Sequence, residues 1–223
     1  MSEPPVRLLY GGTFDPVHHA HLRNALEARD WLARLAGVHA SEVPLYLIPC
    51  ARPGHRDAPG ASAEQRVEML RLALEGLPAA HVDTRELTRS GASWTVDTLL
   101  SWREDIGRDA PLVLLMGRDA FRGLASWHRW LEIVQLAHIM IMNRPFEDTP
   151  FSGQVATLLS EHQTDQPHDL LSAPAGRIIE RTFRLLDISA SEIRASVQSG
   201  VSVRYLVPEK VQAYIEYHAL YRD

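Results

Sequence analysis

Three histidines, His18, His19 and His21, follow directly on a Gly11-Gly12-Thr13-Phe14-Asp15-Pro16 turn. A neutral imidazole offers one N–H donor and a charged one two, so a pair aimed at one point suits a phosphate oxygen. His18 and His21 are three apart and share a helix face, whereas His19 points elsewhere. Gly11 and Gly12 lack a Cβ, so the backbone there can take φ > 0 and let a bulky anion approach. A helix opening after Pro16 turns its unpaired N–H groups and positive dipole end to the same place. The chemistry indicated is phosphate handling. No metal ligands are assigned, because a tetrahedral site needs more His, Cys or carboxylate partners than this stretch supplies.

Such a loop needs a strand before it and a helix after it. Leu8, Leu9 and Tyr10 supply the strand, and apolar spacing through Leu22, Ala25, Leu26 and Leu32 to Leu35 supplies the helix, ending near Gly37. Pro44 to Pro49 reads as a second strand, Cys50 to Ala61 as a loop, and Ser62 as the N-cap of a helix that stops at Gly76. His81 to Thr84, Pro111 to Met116 and His138 to Asn143 are further strands. Helices are expected over Ser93 to Ile106, in the Trp-rich stretch after Gly117, and from Val207 to Tyr221, where Pro208 stands near the start. The polar stretch from Phe146 to Pro174 is expected to be helix and loop without chemistry. Continuous apolar strands alternating with helices predict an α/β fold: a Rossmann-like doubly wound parallel sheet with helices on both faces and a small C-terminal helical extension. One domain over residues 1–223 is expected, its core about 6–187 and its helical tail about 188–223. Gly11, Pro49, Gly117 and Arg144 all fall just after strand ends, where such sheets bind ligands.

The formal net charge of −5 argues against a general nucleic-acid or anionic-membrane binder, so any phosphate recognition must be local. No run reaches the roughly 18 apolar residues of a membrane span, and the N-terminus lacks a signal-peptide pattern. Cys50 is the single cysteine, which excludes an intrachain disulfide. A cytoplasmic location is expected, as a monomer or homo-oligomer.

The stretch GGTFDPVHHAH resembles the signature of the nucleotidyltransferase superfamily, whose loop ends in His-x-Gly-His. His18 and His21 fall on the two signature histidines, and Ala20 stands where the signature has Gly. A second match is Ile188 to Arg194, ISASEIR, which fits the superfamily's Ile-Ser-x-x-x-Ile-Arg at every fixed position. Ser189 can cap a helix and present its hydroxyl to phosphate, while Arg194 can swing a fixed charge to the β- and γ-phosphates. The resemblance is closest to bacterial nicotinate-mononucleotide adenylyltransferases, and it covers nearly the whole chain. It implies that Gly11, Gly12, Thr13, Phe14, His18, His21, Gly117, Asp119, Ile188, Ser189 and Arg194 bind ATP, with His18, His21 and Arg194 catalytic.

The same resemblance assigns the second substrate. His55 and Arg56 match the His and basic residue of a Pro-Pro-His-Lys/Arg stretch that holds the mononucleotide phosphate, with Gly54 in place of the second Pro. Ser93-Trp94-Thr95 corresponds to the family's Ser-Tyr-Thr, in which the aromatic and the Thr backbone hold the nicotinate ring and carboxylate. Trp127 and His128 match its Trp-Tyr/His pair. Trp130, three residues on, is the alternative aromatic, and one of the two tryptophans is expected in the core. Asp15 and Arg144 complete the implied substrate contacts. The implied reaction joins ATP and nicotinate mononucleotide into nicotinate adenine dinucleotide and pyrophosphate, with Mg²⁺ entering on ATP. Phosphopantetheine adenylyltransferases and cytidylyltransferases share the first motif but lack the Ser-aromatic-Thr and Trp-pair features. A non-catalytic nucleotide-binding regulator would bind ATP without releasing pyrophosphate.

Overall fold

A computed structural model of the chain describes residues 5–51, 60–89, 93–143, 149–184 and 186–222. Six strands form one sheet: β1 Arg7–Gly12, β2 Leu45–Pro49, β3 Ala80–Val82, β4 Leu112–Gly117, β5 His138–Asn143 and β6 Ile178–Thr182. Their order is β3-β2-β1-β4-β5-β6, and every neighbouring pair is parallel. Alternate residues feed opposite cores, as the period of two requires. Leu8, Leu45, Leu47, Val113, Leu115 and Met140 enter one core, while Leu9, Ile48, Leu112, Leu114, Met116 and Ile139 enter the other.

The first core is covered by α1 (His19–Ala36), α2 (Ala63–Leu74) and two helices near the C-terminus, α9 (Ala190–Gln198) and α10 (Glu209–Tyr217). The second is covered by α4 (Thr95–Ile106), α6 (Trp130–Leu136) and α7 (Gly153–His162). Short α3 (Arg85–Thr88), α5 (Arg118–Arg122) and α8 (Asp169–Ser172) join these elements. Local chemistry sets several boundaries. α1 stops where Gly37 takes φ 67 and its N–H returns to the Ala33 and Arg34 carbonyls. Ser62 and Gln65 form a reciprocal capping box that starts α2.

Three expectations need correction. β6 (IIERT) was not anticipated: it is an edge strand in which only Ile178 and Ile179 are buried, so its polar half hides the pattern. The helix expected from Ser93 begins at Thr95, with Trp94 as its N-cap. The Trp-rich helix is broken into α5, a 3₁₀ turn at Leu124–Ser126 and α6, the last preceded by Arg129 at φ 50. The chain runs outward from β1 in both directions, so the order of connection reverses between β1 and β4. Among the described residues no helix is long and apolar enough to cross a membrane.

Candidate active site

The two motifs meet although they lie at opposite ends of the chain. Arg194 on α9 donates from Nη1 to the Asp15 carbonyl at 2.7 Å and lies 3.8 Å from the Asp15 carboxylate. That carboxylate is buried and already engaged: it accepts from the Gly60 N–H at 2.8 Å, the Ala61 N–H at 3.1 Å and the Tyr221 hydroxyl at 2.7 Å. Asp15 thus anchors the motif loop, its carboxylate held by Gly60, Ala61 and Tyr221.

His18 is the N-cap of α1 and not part of the helix; its Nδ1 accepts from the His21 N–H at 3.4 Å. The two rings stack with centroids 3.6 Å apart and planes 25° apart. Burial, reinforced by His19, pulls the His18 pKa down to about 4. Burial, reinforced by His18, holds His21 well below the usual imidazole range, and its buried Nδ1 has no hydrogen-bond partner among the described residues. Both rings are therefore neutral at pH 7. Because His18 Nδ1 accepts, its proton sits on Nε2, which is the donor left for a ligand. The anticipated row of free helix amides is shorter than expected, since the His19 N–H already donates to the Leu206 carbonyl.

Neither Gly11 nor Gly12 adopts a positive φ. A Cβ at Gly12 would lie 2.9 Å from the Phe14 ring, whereas one at Gly11 meets nothing within 4 Å. Phe14, at φ 50 and 1% exposed, packs edge-on against Tyr10 and His21. Its side chain is a wedge under the loop, so any contact it makes with ATP is through its backbone. Ile188 likewise packs against the first core. At Ser189 the hydroxyl donates to Glu192 Oε2 at 2.7 Å, and Oγ in turn accepts from the Glu192 N–H at 3.3 Å. Phosphate would have to displace that carboxylate.

The other predicted residues line a cavity of about 550 Å³ at the carboxyl ends of β1 and β4, the point where connection order reverses. Gly11, Gly12, Thr13, Gly117 and Asp119 line it together with Trp94, Thr95, Trp127 and His128. The Trp94 and His128 rings stand 5.2 Å apart, tilted by 34°. Unlike α1, α2 and α9, α4 opens without a side-chain cap, because Trp94 has no acceptor to offer. Asp119 pairs with Arg122 at 3.2 Å, and Gly117 is the N-cap of α5. Trp127 is on the cavity wall and Trp130 is not, but neither is fully buried, so the expectation of one core tryptophan is corrected. His55, Arg56 and Arg144 lie outside the described residues.

A family model described as cytidylyltransferase-like matches residues 9–196. A protein of Hahella chejuensis named probable nicotinate-nucleotide adenylyltransferase is 45% identical over 221 residues, covering 99% of this chain and 98% of its own. One of Cellvibrio japonicus with the same name is 46% identical over 218 residues, covering 98% and 99%. The chain belongs to the nicotinate-nucleotide adenylyltransferases of the cytidylyltransferase-like family. Its fold is also that of the Plasmodium falciparum nicotinic acid mononucleotide adenylyltransferase solved with NaAD, at TM-score 0.68 and 17% identity over 97% of each chain.

Within this adenylyltransferase three contributors to the site were not read from the sequence. Arg66 on α2 is 1% exposed and donates from Nη1 to the Thr13 carbonyl at 2.8 Å, bracing the first motif from below. Its signal is a charged residue on an otherwise apolar helical stripe with Ala63, Val67 and Leu70. Tyr221 holds Asp15 from the end of the chain, and its ring packs where a Cβ on Gly60 would lie 3.1 Å away. Glu86, buried and bonded to Thr98, is a cavity-wall carboxyl that no motif announces.

Proposed function

We propose that the chain transfers AMP from ATP to nicotinate mononucleotide, forming nicotinate adenine dinucleotide and pyrophosphate. The observation that carries this reading is the uncapped start of α4 at Trp94 and Thr95, which lines the switch-point cavity together with Trp127. Aromatic faces suit a pyridine ring, and free helix N–H groups suit its carboxylate. The named activity of the relatives agrees.

The reaction makes modest chemical demands. The mononucleotide 5′-phosphate is already an anionic nucleophile, so its oxygen attacks the α-phosphorus as the bond to the leaving pyrophosphate breaks, and no general base is required. The neutral imidazoles of His18 and His21 serve as fixed donors to the phosphates, and Arg194 steadies the leaving pyrophosphate once it releases the Asp15 carbonyl. Gly11 leaves the space for close approach. In this reading Mg²⁺ arrives as part of the Mg-ATP substrate, bound to the triphosphate and water.

The test is pyrophosphate release from Mg-ATP with nicotinate mononucleotide, nicotinamide mononucleotide or phosphopantetheine supplied separately. A strong preference for nicotinate mononucleotide is expected. Release with phosphopantetheine alone, or with none of the three despite measurable ATP binding, overturns the reading.

A further inference from the structure

Glu86 is 8% exposed and lies on the wall of the cavity shared with Trp94, Thr95 and Trp127. One carboxylate oxygen accepts from the Thr98 hydroxyl at 2.8 Å, one turn into α4. Among the described residues no cation comes within ion-pair distance of it. Arg89, on the same segment, donates instead to the Asp97 carbonyl at 3.3 Å. The groups that act on Glu86 are Arg89 and the Ser93 and Thr98 hydroxyls, which favour its charge, and Asp83, which opposes it. Cys50 of the β2 end feels both Glu86 and Arg66, and His128 and Asp119 line the same cavity.

A buried carboxylate and a second one entering the cavity it lines do not both ionise cheaply. Burial already pushes the Glu86 carboxyl up from its ordinary range. A nicotinate ring in the cavity lined by Trp94 and Trp127 brings the second carboxylate, and a proton drawn from solvent onto Glu86 relieves the repulsion. A carboxamide brings no charge and leaves Glu86 ionised. We infer that Glu86 is a specificity-determining residue that takes up one proton when a pyridine carboxylate enters the cavity and none when a carboxamide does. The preference for acid over amide mononucleotide then weakens as pH rises. This rests on the adenylyltransferase reading above.

The experiment measures kcat/KM for nicotinate and nicotinamide mononucleotides with saturating Mg-ATP in wild type, Glu86→Gln and Thr98→Val. Taking the ratio of the two substrates cancels titration of their common 5′-phosphate and of His18 and His21. From about pH 5.5 to about pH 9 the wild-type acid/amide ratio should fall by up to roughly tenfold per pH unit, as one linked proton requires. Glu86→Gln should make the ratio independent of pH and remove the proton uptake seen calorimetrically in buffers of different ionisation heat. Should Glu86→Gln not fold, Thr98→Val is the test, because losing that donor disfavours the anion and moves the fall to higher pH. A wild-type ratio flat with pH, a Glu86→Gln slope equal to wild type, or an unmoved Thr98→Val profile overturns the inference while leaving the adenylyltransferase reading standing. Turnover of neither mononucleotide overturns both.

Discussion

His18 and His21 stand in face-to-face contact and are largely withdrawn from water, so charging both would set two cations in one poorly solvated space. Donation by neutral rings has a kinetic signature. With saturating mononucleotide, kcat/KM for ATP should not decline as pH rises through about 6.5, the range in which imidazolium donors would be lost. His21→Ala should lower kcat by about 10²-fold, the scale of one transition-state donor, in single-turnover assays on folded protein; turnover near wild type removes His21 from the mechanism. Ser189 offers a second test. Glu192 holds its hydroxyl and places a carboxylate where phosphate is proposed to bind, while the same box at α2 works with uncharged Gln65. Glu192→Gln should therefore keep the cap yet lower KM for ATP by a few fold, in line with removing one like charge at a partly exposed site. An unchanged KM would separate Ser189 from the triphosphate.

At the scale of elements, the first motif is held from three directions: α2 through Arg66, α9 through Arg194, and the tail after α10 through Tyr221. Tyr221→Phe keeps the ring against Gly60 and removes only the hydroxyl that donates to Asp15. A hydrogen bond to a buried carboxylate contributes about 1.5–3 kcal/mol, so the midpoint of urea unfolding should drop with an unchanged denaturant slope. No drop would mean that the tail leaves the motif loop in solution. The strands and helices flanking the site were legible because each wrote a clear period: PLVLLM and HIMIMN as continuous apolar runs, AEQRVEMLRLAL as a capped stripe. The motifs single out the histidines, Trp94, Trp127 and Arg194 as candidates. What stayed hidden was long-range partnership. Asp15 reads as a ligand residue because its partners, Gly60, Ala61 and Tyr221, are 45, 46 and 206 positions away. β6 stayed hidden because its stability comes from pairing with β5 and from Glu180 held by Arg118 and Asn143, none of which is local.

At the scale of the whole molecule, three imidazoles among the described residues are kept neutral by folding: His18, His21 and His138. His138 is fully buried, bonds the Ala173 carbonyl at 2.8 Å, and accepts from the Arg177 N–H at 3.2 Å, so it joins the start of β5 to the approach of β6. In each case the folded pKa lies below the unfolded one of about 6.5, so the unfolded chain binds protons first as pH falls. Stability is then full above pH 7 and declines as pH drops through about 6.5, with His18 alone accounting for about 3 kcal/mol by pH 4. Glu86 acts in the opposite sense, because its raised folded pKa lets the native state take a proton before the unfolded chain does, but it is one group against three. For a domain of ordinary stability, about 5–15 kcal/mol, the net loss is a large fraction. Urea titrations at steps from pH 8 to about pH 4 measure it directly. Stability that stays level across that span would mean that the imidazoles titrate alike in the folded and unfolded chain. The neutral-donor role of His18 and His21 in phosphate binding would fall with it.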